Sequence, residues 1–425
     1  MTRLTLKSGL KLTLPVILAF FLGAGGPRTL HAAEKQAYGS SSDAAEAHAG
    51  KGNELLRDRR YTEAAKEFQT ALALEPHLVR VRYQLAVCWF NVGQLKQSRE
   101  EFERVRRESW GDASVTYYLG RIDLLEGDTE SALREFKSIV SAGPFEDTYY
   151  YLGLACLNTN QVEDAKLWLR KAAQAQPGNP HIHDHLARVY QKLGQRSEAE
   201  KESVLAAQSR QRLEEASRLT DDCGRGLATQ PLEEAQTACQ KLFDLSDEHS
   251  LLTLGVLYGQ HGYFERALEP LRRAAQVDPD SEEIQYNLGL SYFRLRRYRE
   301  ARTPLEKAVA LQPDFFGPSA LLGATLYSLE DELAYPLLQH AHRLNPQHAE
   351  TAELLFRVSV GLGQKEFLAK KYTRSLTFLK QAAELNPSVP DVHRLLAEVY
   401  HSLGQAEDAA RENTEAERLQ GAKNQ

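Results

Sequence analysis

The residues best equipped for chemistry are few and dispersed. His181, His183 and His185 flank Asp184 just after Pro180. On a helix His181 and His185 would share a face one turn apart, a spacing that can grip zinc, but a zinc site needs three or four protein ligands. No third donor accompanies them, so they read as a helix start that is exposed or lines a groove, and neither a metal nor a cofactor is expected. No His-Glu-x-x-His, no Gly-x-Ser-x-Gly and no phosphate-cradling glycine loop occurs. Carboxylates are abundant but scattered along helix exteriors, so no pair stands out for acid–base work, and the chain is not expected to be an enzyme. Cys223 and Cys239 fall in its most irregular region and would be able to pair in an oxidising compartment, whereas Cys88 and Cys156 read as small apolar fillers inside helices. What remains is tyrosine with interleaved arginine and histidine: a surface rather than a reaction centre.

The elements that carry these residues are clearest between Ser281 and Pro313. This stretch reads as two amphipathic helices around a tight turn. Leu288, Gly289 and Tyr292 share a face of the first; Ala301, Leu305 and Ala308 share a face of the second, and Pro313 stops it. Small residues stand where two helices must approach closely, and bulky ones fill the space beside them. The spacing resembles the tetratricopeptide repeat (TPR). One such pair cannot bury its face alone, so copies must stack, and the resemblance implies an all-α fold, a right-handed superhelical α-solenoid.

Ten partial copies follow in register. Repeats one to five occupy residues 45–213, a degenerate unit 214–247, and repeats six to ten 248–425. Repeat two has Ser98 where alanine is expected, and Asp221 stands where glycine or alanine belongs in the degenerate unit. Nothing breaks a helix from Arg196 to Leu219, which predicts one long helix there, with a restart after Thr229-Gln-Pro231. Repeat nine carries about seven extra residues, two whole turns, so its first helix can lengthen without rotating its apolar face. The polar last helix, Glu407 to Leu419, suits a terminal cap.

The first 33 residues read as a secretory signal: Arg3, Lys7 and Lys11, an apolar run from Leu12 to Gly26, and small residues for cleavage near Ala32 and Ala33. The run is short for a bilayer span, an uncleaved anchor being the competing reading. Export to a periplasmic or secreted location is expected, with no stable membrane span afterwards and a flexible leader over 34–44. Removing residues 1–33 takes away four basic residues and no acidic one, moving the formal charge from −6 to −10. A mildly acidic body disfavours nucleic acid, which needs a concentrated basic face. The clusters Arg57-Asp-Arg-Arg60 and Arg294-Leu-Arg-Arg297 fall at turns and read as solvated ends. With 42% hydrophobic and 26% charged residues, composition is that of an ordinary soluble chain.

In the family that this sequence resembles, the first helix of each pair lines the concave side. Carried over position by position, that register selects Arg80, Tyr83 and Gln84 in repeat two; Tyr117, Tyr118 and Arg121 in repeat three; Tyr150, Tyr151 and Asn158 in repeat four; and His181, His185, Arg188 and Lys192 in repeat five. The C-terminal half is sparser, led by Tyr286 and Asn287. Tyrosine gives contact area at low entropy cost, and arginine pairs carboxylates or stacks on rings. The competing reading packs half of each tyrosine pair between neighbouring helices. A five-residue carboxylate clamp known in some TPR domains finds only Asn53 at a matching position, which disfavours chaperone-tail binding. The resemblance implies a non-enzymatic scaffold or adaptor holding an extended peptide or partner helix in its groove. The alternatives are a structural subunit of a cell-envelope export or assembly machine, and an enzyme or enzyme regulator using 214–247.

Overall fold

The computed structural model describes residues 41–108, 113–140, 145 and 147–423, so the signal and its cleavage site lie outside the described residues. Among the described residues the chain forms 21 α-helices and no strand. The N-terminal pairs are α1 (Ser41–Arg57) with α2 (Tyr61–Leu74), α3 (Val79–Asn91) with α4 (Leu95–Glu108), α5 (Ala113–Glu126) with α6 (Thr129–Ile139), and α7 (Thr148–Asn158) with α8 (Val162–Ala175). Helix α9 (Pro180–Lys192) then leads into α10 (Arg196–Thr229), which pairs with α11 (Leu232–Asp244) as well. The C-terminal pairs are α12 (Glu248–Gln260) with α13 (Phe264–Val277), α14 (Glu282–Arg294) with α15 (Tyr298–Leu311), α16 (Phe316–Ser328) with α17 (Ala334–Leu344), α18 (Ala349–Leu368) with α19 (Tyr372–Leu385), and α20 (Pro390–Ser402) with α21 (Ala406–Lys423). Each helix packs on its neighbours in the chain, the arrangement of a solenoid.

The helix–helix seams follow from side-chain size. A Cβ on Gly289 would lie 2.5 Å from Leu305 Cγ, so only glycine lets α14 approach α15 this closely. Ser98, where the pattern asks for alanine, is accommodated because its hydroxyl donates to the Ala86 carbonyl across the pair at 2.8 Å. Ser375 does the same to Gly363 at 2.7 Å. A buried hydroxyl is tolerated when it finds such an acceptor. The turn inside each of the ten hairpins carries one residue in the left-handed region: Gly93, Gly127, Gly194, Gly262 and Gly404 in five, and Arg59, Asn160, Arg296, Glu330 and Lys370 in the rest.

Two expectations about boundaries are corrected. Helix α1 starts at Ser41, so residues 41–44 belong to it and not to a flexible leader. Helix α10 runs ten residues past Leu219, to Thr229, because Cys223, Gly226 and Leu227 are buried on its inner side and are held there by packing. The core of the N-terminal half ends at Ala199 and the large C-terminal core begins at Leu219. Between them α10 is mostly exposed, a bridge in a helix about 50 Å long. The pattern resumes at α12, where Asp247 accepts from the Ser250 N–H at 2.9 Å and from its hydroxyl at 2.7 Å. Asp247→Ala should lower the stability of this half by about 1 kcal/mol, the ordinary cost of a lost N-cap, read as a shifted denaturant midpoint.

The solenoid also touches itself. Helix α1 lies across the starts of α14 and α16 and against the end of α17, more than 200 residues away. Glu46 pairs with Arg343 Nε at 3.0 Å and with His340 Nδ1 at 3.4 Å. Gly50 sits so close that a Cβ would fall 2.3 Å from the Leu344 carbonyl oxygen. Asn53 donates to the Asp314 carbonyl at 3.0 Å, and the Gly317 N–H donates to Glu54 at 3.4 Å. The Arg57 guanidinium lies 4.5 Å over the Tyr286 ring and 3.8 Å from Glu282. Repeats one and eight therefore meet after one full circuit.

Candidate peptide-binding face

The expected groove residues of repeats two to five form one continuous aromatic face. Tyr118 of α5 lies flat on Phe102 of α4, centroids 4.9 Å apart, and Tyr151 of α7 lies flat on Phe136 of α6 at 5.9 Å. The same pairing thus recurs one repeat on. Edge contacts join the stacks: Tyr83 to Tyr118 at 6.0 Å, Tyr118 to Tyr117 at 5.3 Å, Tyr117 to Tyr151 at 5.9 Å and Tyr151 to Tyr150 at 5.1 Å. His185 of α9 continues the row, 5.6 Å from Tyr150. Offset and edge geometries of this kind hold rings firmly in place.

Arg121 is the centre of the face. Its guanidinium carbon is 4.6 Å from the Phe90 ring, 4.7 Å from Tyr151 and 5.4 Å from Tyr117, so three rings hold one cation. It donates to the Tyr117 hydroxyl at 3.1 Å, which in turn donates to Asp147 at 2.7 Å. Burial and the Asp147 bond push the Tyr117 hydroxyl well above the usual tyrosine range, so it stays a donor. Burial raises Tyr118, Tyr150 and Tyr151 as well. Burial, then the nearby Arg188 charge, depress the His185 pKa, favouring the neutral ring.

The expected set divides. Tyr83, Tyr118, Arg121, Tyr150, Tyr151 and His185 are half-buried, while His181, Arg188 and Asn158 are exposed. Tyr117 and Gln84 are buried and belong to the packing beneath. Arg80 is drawn away to Asp314, 2.9 Å distant at the self-contact. Tyr286 is buried under Arg57, and Asn287 donates to the Glu283 carbonyl of its own helix at 2.8 Å, so neither presents to an open groove. Arg57, expected as a solvated helix end, is committed to that contact. The three histidines also separate: His183 is buried with its ring nitrogens 2.7 Å from Glu202 and 3.0 Å from the Pro177 carbonyl. The same brace recurs at His393 with Glu412 and Pro387, at 2.7 and 3.0 Å. Phe90 and Asp147 were not expected in the face. The spacing of Phe90 from Arg121, about one repeat, is the only signal that would have found it.

Cys223 and Cys239 are joined in a disulfide, with Cα atoms 4.7 Å apart, stapling the end of α10 to α11. Around the bridge Leu227 and Leu242 pack as in any other pair.

Sequence profiles described as tetratricopeptide repeat match residues 55–115, 117–180 and 252–314. The chain is a tetratricopeptide repeat protein. The TPR profiles fall on both sides of α10 and leave the degenerate unit unmatched. Among curated relatives, a Caenorhabditis elegans protein described as tetratricopeptide repeat-containing protein trd-1 is 28% identical over 145 residues, covering 33% of this chain and 19% of its own. A Drosophila melanogaster BBSome complex member BBS4 homolog is 21% identical over 305 residues, 66% of this chain and 61% of that one. The human protein O-mannosyl-transferase TMTC1 is 26% identical over 223 residues, 50% and 24%. The chain thus spans between about a fifth and three-fifths of these relatives' lengths. Among solved structures, YrrB, described as a TPR protein with an unusual peptide-binding site, is 24% identical over 44% of this chain and 92% of its own, with TM-score 0.33. A MamA double mutant is 23% identical over 42% and 97%, with TM-score 0.30. Among the described residues no helix is long and apolar enough to cross a membrane.

Proposed function

We propose that this TPR protein is a non-enzymatic scaffold that binds an extended peptide or a partner helix along the aromatic face of repeats two to five. TPR architecture serves protein–protein interaction in general, and the observation that supports this location is the ring row with Arg121 fixed at its centre. Tyrosine and arginine held rigidly before a partner arrives lose little further entropy on binding. The exposed Arg188 guanidinium at one end of the row favours a carboxylate-bearing partner. The signal-like leader, together with the Cys223–Cys239 bridge, supports export to an oxidising compartment.

Tyr150→Ala and Arg121→Ala test the reading without touching the fully buried core. Each should weaken partner capture from native extracts by about tenfold or more while moving the melting temperature little. Capture unchanged with a large loss of stability would make the rings structural. A stable, stoichiometric complex that survives both substitutions would favour the second reading, a structural subunit of a cell-envelope assembly. The fly relative, by its name a complex member, lends that reading its support.

A further inference from the structure

We propose that the contact between α1 and repeats seven and eight is a proton-sensitive clasp, holding the solenoid closed while His340 carries charge against Glu46 and releasing the first hairpin when that charge is lost. The contact is built on one stripe of α1: Glu46, Gly50, Asn53, Glu54 and Arg57, at the spacing that places residues on a single helix face. The opposite stripe is the ordinary repeat seam, with Gly52 against Phe68 of α2. The hairpin can therefore leave the contact without unpacking itself. Apart from Gly50, the stripe is polar or charged, and polar contacts of this kind resemble reversible interfaces rather than a core.

His340 ties α17 to α1 only as an imidazolium; as a neutral ring it pairs within its own helix. Its Nε2–H donates to the Pro313 carbonyl at 2.9 Å, which leaves Nδ1 facing Glu46 Oε1 at 3.4 Å. Protonated, Nδ1 donates to that carboxylate; neutral, it accepts from Arg343 Nη2 at 3.4 Å instead, and Arg343 alone holds Glu46. The groups facing His340 are Glu46 from α1, Pro313 from the preceding turn and Arg343 from its own helix, whose nitrogen stands 3.4 Å from Nδ1 and works against the proton. Further along, Asp314 pairs with Arg80, and Glu54 and Glu282 converge on Arg57.

The directions agree. The Glu46 bond, against the cost of burial, raises the His340 pKa above its usual 6.5, so its contribution is complete below that value and fades as pH rises through the raised one. Glu46 is held below its usual 4.5 by His340 and Arg343 despite burial, so its contribution fails only in stronger acid. Glu54 and Glu282 are pushed up by burial, and their contribution is also lost toward alkali. The Glu46–His340–Arg343 cluster is thus firmest between 4.5 and 6.5 and loosens above, while Glu54 and Glu282 already weaken closure as pH rises from 4.5. While the clasp is closed, repeats one and eight meet edge to edge and a partner enters the trough along its axis; once released, the trough opens sideways.

Small-angle scattering of the full chain tests this. The radius of gyration should grow between about pH 5.5 and about pH 8.5, the two sides of an ordinary histidine titration. His340→Gln should greatly reduce the change, leaving only what Glu54 and Glu282 contribute. Gly50→Leu, which cannot fit beneath Leu344, should be expanded at both values. Hydrogen exchange over residues 61–74 shows whether its hairpin has stayed folded. If it has not, Arg343→Glu, which leaves α1 untouched, serves in its place, and Glu46→Arg added to it should restore compactness. Wild type of constant size, a pH response undiminished by His340→Gln, or an Arg343→Glu chain as compact as wild type would overturn the clasp.

Discussion

Replacing Phe136 with alanine should destabilise the N-terminal half by about 3–5 kcal/mol, the range for deleting a fully enclosed aromatic side chain. Phe136 is wholly buried, and the space before Gly120 is filled by its ring: a Cβ there would meet it at 3.0 Å. It is also the floor on which Tyr151 lies and against which Tyr117 rests edge-on at 6.3 Å. The damage should stop at α10, since the two large cores share no residue across the exposed middle of that helix. Hydrogen exchange should therefore quicken over residues 117–199 and remain slow over 219–355. A single cooperative loss of protection along the whole chain would contradict the division.

Removing the Cys223–Cys239 bridge should have the second largest effect. The two residues are 16 apart in sequence, and releasing a loop of that size returns about 3 kcal/mol of chain entropy to the unfolded state. The paired change Cys223→Ala with Cys239→Ala should lower the denaturant midpoint of the C-terminal half by a corresponding amount. Thiol counting under denaturing, non-reducing conditions checks the bridge itself, with labelling expected only at Cys88 and Cys156. In the folded chain even these should be inert, because burial pushes their thiols up to about 12 and about 11. Four labelled thiols in the denatured chain would dispose of the bridge.

The repeating hairpins were legible because one spacing recurs and each position has a steric reason. Gly289 against Leu305 is the plainest case. Ser98 broke the pattern without breaking the packing, since its hydroxyl finds the Ala86 carbonyl, a rescue no letter pattern records. The end of α10 was misjudged because glycine and aspartate after Leu219 weaken a helix locally by about 1 kcal/mol or less each, and the burial of Cys223 and Leu227 overrides that. In the aromatic face the register named the right helices. Which ring of each pair lies flat depends on the phenylalanine of the preceding repeat, Phe102 under Tyr118 and Phe136 under Tyr151, a contact outside the repeat itself. Arg80 and Tyr286 were misplaced for a larger reason: a one-dimensional array is read through its nearest neighbours, and a contact made one circuit later leaves no trace in the period.

The turns of the ten hairpins differ in how comfortably they close. Where glycine occupies the left-handed position the backbone is relaxed, whereas Arg59, Asn160, Arg296, Glu330 and Lys370 each hold a conformation that disfavours a side chain by about 1–2 kcal/mol. Arg59, Arg296 and Glu330 belong to repeats one, seven and eight, the hairpins that meet where the chain comes round to itself. Three of the five costlier turns thus stand at the join, so glycine at any of those three positions should relieve the backbone where the circle closes.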